Sequence, residues 1–573
     1  MKNEPKPPTA VPATLQDVID HLVADPGLSE TRKRDLRSAV VTFAKLTGQA
    51  PALIPLELAG LRANLDSIVS AQAKVSRKRW ANLRGDLAAA IEASGLRPML
   101  KTADVEIDQV WSRLLRGVKD RRVRIGLSRF ARWASLRRIS PKAVDNTVIE
   151  RFIAELEAAS LVRQLRYLHR SVTKTWNILV RLQQGQRLQT VEVVPLRNPA
   201  ARRLPWEQLP ASFRADVERY LAWCAVPDPL DEHARAKALA PRTRHLRRNH
   251  IQSAVTAASA AGVDVASWTS LASLVDSETV TRLLRQRWGK KGHALTAYTH
   301  GIARTLIAIA AEWVKAPAET IATLKKLRGK LGTMPSGLTE KNKTLLRKFD
   351  DPRLLESLIQ LPDRLWRRAR RHLPTSGRAF IDMQNAIAID FLLHIPLRME
   401  NLAALNFKDH LHWPQGRGKP ALVVFGFDET KNDIQLEYEI PTGLAERLHR
   451  YRNEIVPAVS GKRPDAVFVT RATKPRTQQA VTTTIVKAVH RHLGVKLTPH
   501  QFRHLAAKII LDANPGAYEL VRQLLGHRNL KTTTNFYAGI DTRRAGRAHA
   551  ELVMRLRESN LGRRRRPLKS QKD

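Results

Sequence analysis

A single cysteine, Cys224, stands in a chain of 573 residues. That excludes an intramolecular disulfide framework and any zinc site built on several thiolates, and it fits a reducing compartment. Acidic residues are scarce beside basic ones: 53 Asp and Glu face 98 Lys and Arg, for a net charge of +45. Solubility needs far less than this, and a polyanion would neutralise it, so nucleic acid is the leading partner and a membrane surface the alternative. Uncharged apolar runs of about 18 or more residues are also missing, which excludes a membrane-spanning helix. The opening stretch MKNEPKPPTAVPATL has prolines where a secretion signal needs an apolar run. These absences predict a cytoplasmic, nucleoid-associated protein with no membrane partner. Hydrophobic residues at 43% and charged residues at 26% are ordinary for soluble domains, so the chain folds, and its length asks for several domains.

Apolar residues recur at three- and four-residue spacing over most of the first 340 positions, as in 15–23, 148–159 and 297–314, and this period predicts an all-α region. A pattern of apolar helix, Phe-Ala, short loop and later aromatic-bearing helix occurs twice. Phe43-Ala44 with Trp80 and Phe130-Ala131 with Trp176 mark it, which suggests duplication of a small module. A third helical block near 210–335 has similar length without a common register. Proline and glycine gather without periodicity at 191–210 and 329–344, which read as linkers. Beyond the second linker, a helix over 377–394 leads to β-branched and aromatic residues around a polar turn at 420–441, a hairpin signal. Helical patterns resume at 480–493, 500–513, 516–526 and 541–558. The expected fold is mainly α with an α+β C-terminal domain holding a small antiparallel sheet. Five segments follow: helical modules at 1–103 and 104–200, a third helical block at 205–335, a domain at 345–560 and a basic tail at 561–573.

The chemistry concentrates in that fourth segment. His500 and Arg503 lie three apart in Thr498-Pro499-His500-Gln501-Phe502-Arg503-His504, so on a helix starting near Pro499 they share a face and can address one anion. A phosphate near that helix start gains from oriented N–H groups and from the guanidinium fork. Arg398 ends an apolar run, where a half-buried cation needs an anionic partner. Lys431 stands in the hairpin turn. Leu525-Gly526-His527 and then Phe536-Tyr537 follow downstream.

In this order Arg398, Lys431, His500-x-x-Arg503, Leu-Gly-His527 and Tyr537 resemble the tyrosine recombinase (phage integrase) family. The resemblance covers about 345–550, and the block at 210–335 is similar by position, size and charge to the family's core-binding domain. It implies a metal-independent DNA strand transferase without cofactor. Tyr537 attacks a phosphodiester to give a 3′-phosphotyrosine and a free 5′-hydroxyl. Arg398 and Arg503 hold the non-bridging oxygens, His500 and His527 complete the cage with His500 a candidate for assisting loss of the tyrosine proton, and Lys431 protonates the leaving oxygen. Of seven tyrosines, Tyr537 alone follows the Leu-Gly-His element, whereas Tyr518 precedes it. The family often carries an acidic residue three positions after the first arginine; Asn401 occupies that place, with Glu400 one position earlier. Double-stranded DNA, a homo-tetramer on paired sites and accessory DNA-bending proteins are the implied partners. The roles span integration, excision and transposition by a mobile element. A type IB topoisomerase and an inactive DNA-binding protein of the same fold remain as alternatives. For each residue alone a structural role competes: a solvated His-Arg pair, an ordinary turn lysine, a salt-bridged arginine, a core tyrosine.

Overall fold

The computed structural model describes residues 13–68, 77–100, 102, 104–183, 187–195, 203–231, 234–290, 296–332, 337–430 and 434–564. Its contacts divide the chain into two units, Met1–Val194 with Ser336–Asp573, and Pro195–Pro335. Among the described residues, no helix is long and apolar enough to cross a membrane.

The first hydrophobic cluster is built by helices Leu15–Ala24, Glu30–Thr47, Leu58–Ser67 and Arg77–Ala93. Leu15, Val18, Ile19 and Leu22 recur at helical spacing and are all buried. Thr14 and Asp17 form a capping box that satisfies the free N–H groups at that helix start. Helices Gln109–Arg116, Arg121–Leu136, Asn146–Ala159 and Leu165–Leu182 enclose a second cluster rich in aromatic rings. Trp111 meets Phe130 edge to face at 5.6 Å, and Phe130, Trp133, Phe152 and Trp176 complete the group. The two share one element order: helix, longer helix, a 3₁₀ turn opened by proline (Pro51–Leu53, Pro141–Ala143), then two helices. Phe43-Ala44 and Phe130-Ala131 are buried at matching places; Trp176 is buried in the last helix of its set and Trp80 half-buried in the other.

The unit Pro195–Pro335 has a related order, Ala211–Trp223, the longer Pro241–Ala260 and the 3₁₀ turn Val265–Ser267, but that turn is not opened by proline and Leu271–Val275, Ser277–Lys290, Ala297–Ala308 and Ala318–Lys330 follow it. A partial likeness of three blocks, rather than two, is therefore structural. It is hidden in the sequence because the third block interposes a long segment after its first helix and lacks the Phe-Ala signpost.

The C-terminal region is organised around α1 (Leu361–Arg370) and α2 (Gly377–His394). Nearly every residue of α2 from Ala379 to Leu392 is buried, so it is an interior helix rather than an amphipathic one. Its polar members are paired: Gln384 donates to the Val469 carbonyl at 2.8 Å, and Asp390 accepts from Arg447 at 2.6 Å. Beyond Arg398 come α3 (Met399–Ala404) and an antiparallel sheet, β1 (Leu411–His412), β2 (Ala421–Phe425) and β3 (Leu436–Ile440), in the order β1-β2-β3. Ala421, Val423 and Phe425 alternate inward, and Val423 pairs with Tyr438. The expected hairpin is β2–β3, whereas β1 has only two residues and offers no periodicity to read. After helices Thr442–Arg450 and Val456–Ser460 come α4 (Gln478–Leu493), α5 (Pro499–Ala513), α6 (Tyr518–Leu525) and α7 (Leu530–Arg564). The mainly helical fold with a small antiparallel sheet is thus the one expected.

α7 starts 11 residues earlier than its expected start at 541 and is 35 residues long. Its first turns hold Thr532, Thr533 and Thr534, β-branched residues of low helix propensity. Tertiary contact overrides that preference: Thr533 is fully buried and its hydroxyl pairs with His527 Nδ1 at 2.9 Å.

Gly526 closes α6 in the left-handed region at φ +56, and a Cβ there would lie 3.0 Å from Leu436 Cδ2 on β3. Both the dihedral and the close approach require glycine. Gly526→Ala should destabilise the protein by about 1–3 kcal/mol through strain and overpacking, seen as a lower melting temperature. Leu436→Ala in the same chain should recover part of that loss; a double variant no better than the single one contradicts the steric account.

Candidate active site

Five of the six residues singled out from the sequence converge where the ends of α2, α5 and α6 meet the start of α7. The sixth, Lys431, lies outside the described residues. Arg398 caps the N-terminus of α3, is half-buried, and donates from Nη2 to the Gly526 carbonyl at 3.2 Å. Arg503, on α5, is 6% exposed and donates to the carbonyls of Pro396 at 2.6 Å and Leu525 at 2.5 Å. α5 begins where the sequence predicts, with Pro499 in its first turn and Thr498 N–H donating to Gln501 Oε1 at 2.8 Å. That start places His500 at the rim and Arg503 one turn deeper.

The two guanidiniums are close enough for the Arg398 charge to weigh on Arg503. Burial first, then Arg398, lowers the Arg503 pKa to about 10, and burial lowers that of Arg398. The imidazoles feel the same field. Burial and then Arg503 and Arg398 lower His500, and burial with those arginines, Arg522 and His500 takes His527 to about 4. A site in which every basic group resists its proton is short of negative charge, and an entering anion relieves all of them together. Beside His527 a cavity of about 220 Å³ opens between β3 and α6, lined by Tyr438, Arg522, Gly526 and His527 among others.

Tyr537, on α7, is 2% exposed, and burial pushes its hydroxyl up to about 12 against the opposing pull of Arg503. Its Oη lies 2.9 Å from Nδ1 of His504, a residue that sequence reading left out. His504 follows Arg503 directly and lies four positions after His500, one turn further along the same side of α5; a motif read as His-x-x-Arg stops one residue short of it. Tyr438 was also missed: it donates to the Leu524 carbonyl at 3.0 Å and bears electrostatically on both arginines.

Asn401, where the family often has an acid, is 5% exposed and donates from Nδ2 to the Glu429 carbonyl at 3.1 Å. The Glu429 carboxylate in turn meets His410 Nε2 at 2.7 Å. Asn401 therefore ties α3 to the segment leading into the hairpin turn. Its amide N–H donates there, a bond that a carboxylate at this position could not make.

The buried imidazoles carry a pH consequence. His504 and His527, and His250 in the unit Pro195–Pro335, have pKa values lowered to about 4, burial being the first cause in each, from an ordinary 6.5. The folded protein binds fewer protons than the unfolded chain between these values, so this contribution is whole above about 6.5 and lost as pH falls towards 4. Calorimetry without DNA should show the melting temperature dropping across that window. His250→Gln should flatten the drop, since the imidazole pairing with Thr305 Oγ1 at 2.8 Å is removed; an unchanged slope would sink the assignment.

Comparison with known proteins bears on this geometry. Residues 370–544 match the family described as the phage integrase family. Tyrosine recombinase XerC of Pseudomonas syringae pv. tomato is 37% identical over 84 residues, 15% of this chain and 27% of the relative. XerC of Pseudomonas putida is 34% identical over 83 residues, 14% of this chain and 27% of the relative. The chain spans about a quarter of the length of the curated relatives it matches. Among solved structures, XerH site-specific recombinase bound to a palindromic difH substrate is similar at a TM-score of 0.36 and 15% identity, over 61% of this chain and 99% of that one. A lambda integrase (75–356) dimer bound to a COC′ core site gives 0.33 and 14%, over 56% and 94%. Arg398, His500, Arg503, His527 and Tyr537, which this region brings together, all lie within the residues that match the phage integrase family.

Proposed function

We propose that the protein is a site-specific DNA recombinase that cuts and rejoins strands through a 3′-phosphotyrosine. The observation that carries this reading is the tyrosine hydroxyl of Tyr537 buried beside two guanidiniums whose hydrogen-bond partners are neutral carbonyls. A structural salt bridge would balance a buried cation with a carboxylate; carbonyl-held arginines keep their charge for an anion that arrives. Each guanidinium has five N–H donors, so donors remain for non-bridging phosphate oxygens after the carbonyls are satisfied. In the transition state the phosphorus carries more negative charge on those oxygens, and fixed cations stabilise it more than the ground state.

Tyr537 is the nucleophile in this reading, with His500 and His527 completing the cage and Lys431 as general acid to the leaving 5′ oxygen. The covalent phosphotyrosine keeps the energy of the broken bond, so religation needs no nucleotide. The cationic side chains occupy the electrostatic place that a divalent cation has in other phosphoryl transfers, and no cofactor enters the step. The helical blocks at 1–103, 104–200 and 205–335 serve as DNA-binding modules, whose net positive charge gives salt-dependent backbone affinity. Two pairs of protomers act on paired duplexes as a tetramer, accessory DNA-bending proteins assist, and the site of action is the nucleoid. On α7, Leu552, Met554 and Leu556 are each more than half exposed, a surface suited to a neighbouring protomer in that assembly.

Tyr537→Phe should abolish the covalent protein–DNA adduct while leaving binding nearly unchanged, because only the phenolic oxygen is lost. The check is denaturing gel analysis of duplexes that the protein selects from a random pool, beside a gel shift of the same duplexes. An adduct that persists moves the nucleophile elsewhere, and wild-type protein without any adduct marks an inactive DNA-binding protein. Branched products from paired sites separate recombination from topoisomerase action.

Arg398→Ala and Arg503→Ala should each slow cleavage by at least ~100-fold, the scale of losing one preorganised charge-stabilising donor. Lys431→Ala should be rescued by a 5′-phosphorothiolate, whose leaving group needs no proton. A lysine variant equally slow on both substrates removes Lys431 from the role of acid.

A further inference from the structure

The pair formed by His504 and Tyr537 is not used by the roles above. His504 is 4% exposed and lies on α5 next to Arg503, and its Nδ1 stands 2.9 Å from Tyr537 Oη across to α7. The rings meet at 66° with centroids 5.8 Å apart, and Phe536 stacks on the other side of His504 at 6.3 Å and 22°. His500 packs edge-on against His504 at 4.7 Å, one turn earlier on α5. The hydrogen bond of the nucleophile's hydroxyl therefore runs to His504, and His500 stands behind it towards the rim.

We propose that His504 is the general base of the cleavage step, accepting at Nδ1 the proton that leaves Tyr537. This rests on the recombinase reading above. As Tyr537 Oη bonds to phosphorus, its O–H bond breaks and the proton passes to His504 Nδ1. The P–O5′ bond breaks on the opposite side, and O5′ takes a proton from the general acid. The products are a 3′-phosphotyrosine, a free 5′-hydroxyl and an imidazolium; religation runs the same transfers backwards. His500 is then free to contact the phosphate, as its place near the start of α5 suits.

Electrostatics ties this base to the presence of DNA. The charged and titratable groups that bear on His504 are Arg503 and His500 on its own helix, His527 from the turn after α6, and Tyr537 on α7. Burial is the largest cause holding His504 neutral, and the three basic groups add to it. The neutral ring is the form that can accept a proton, provided its own hydrogen sits on Nε2. A phosphodiester placed between the arginines brings a negative charge into this surplus, so the imidazolium becomes affordable only when substrate is present. The same cations favour the phenolate, so donor and acceptor are tuned by one field.

The test uses the full chain. Nitrogen NMR of the DNA-free protein at pH 7 should show His504 protonated on Nε2 with Nδ1 bare; a proton on Nδ1 overturns the proposal without any substrate. In single-turnover cleavage of duplexes that the wild-type chain selects from a random pool, His504→Ala should slow adduct formation by ~100-fold or more, the usual reach of a general base. Binding of the same duplexes by gel shift should be retained. His504→Asn keeps an acceptor near the phenol but cannot take its proton, so it should be about as slow as the alanine variant. Both variants should regain rate as pH rises towards 10, where hydroxide replaces the base, while the wild type levels off. Wild-type rate in His504→Asn reduces His504 to holding the tyrosine in place. Faster cleavage in His504→Ala makes the pair a resting clasp. Either result overturns the proposal while leaving the recombinase reading intact, whereas absence of a wild-type adduct strikes the recombinase reading itself.

Discussion

Two guanidinium groups stand inside the C-terminal region with backbone carbonyls as their hydrogen-bond partners, and much of the surrounding architecture is arranged to make that tolerable. Burying a cation without a carboxylate is costly unless its N–H groups are satisfied. The carbonyls of Pro396, Leu525 and Gly526 supply that satisfaction without cancelling the charge. Leu525 and Gly526 are free for this because α6 ends there, where the last carbonyls lack intrahelical donors and carry the negative end of the dipole, and Pro396 lies in the segment just past the end of α2. Gly526 allows the chain to turn under β3 without a Cβ striking Leu436, and His527 follows directly on the turn.

From that constraint the rest of the site follows. Burial first, and the surplus positive field after it, depress the pKa of four basic residues, while Arg503 draws against the burial that raises Tyr537. Helix α7 is held at its first turns by Thr533 to His527 and by Tyr537 to His504, so Tyr537 is coupled to α5 and to the turn after α6 through two hydrogen bonds made by imidazoles. Protonation of either imidazole changes those bonds at the same time as it changes the field. The acid sensitivity expected of the fold and the electrostatics of the site thus have one physical origin.

The three helical blocks obey a different logic. Each encloses its own apolar core between short helices and a 3₁₀ turn, with polar caps such as Asp108, Asp145 and Ser270 satisfying helix starts. What repeats between the first two is the order of elements and the depth of the core positions, not the residues. Phe130 and Trp176 in one block correspond to Phe43 and the half-buried Trp80 in another, so similar folds arise from unlike packing.

Sequence alone settled whatever depends on local periodicity or on short, ordered motifs. Helix α5 was legible from Pro499 and its apolar spacing, and the β2–β3 hairpin from its β-branched residues. The His500-x-x-Arg503 face followed from the helical repeat. The start of α7 was not legible, because a run of threonines reads as turn chemistry until packing buries Thr533 and pairs it with His527 across the turn, six positions earlier. β1 was not legible because two residues carry no period. The partner of Tyr537 was hidden for a related reason: His504 is 33 positions away, and the His-x-x-Arg motif ends one residue before it. Which carbonyls hold the arginines, and that Asn401 reaches a backbone oxygen at Glu429, are likewise matters of where separate helix ends meet. Chain order cannot encode such meetings locally, since they are fixed by packing of the shared core beneath them.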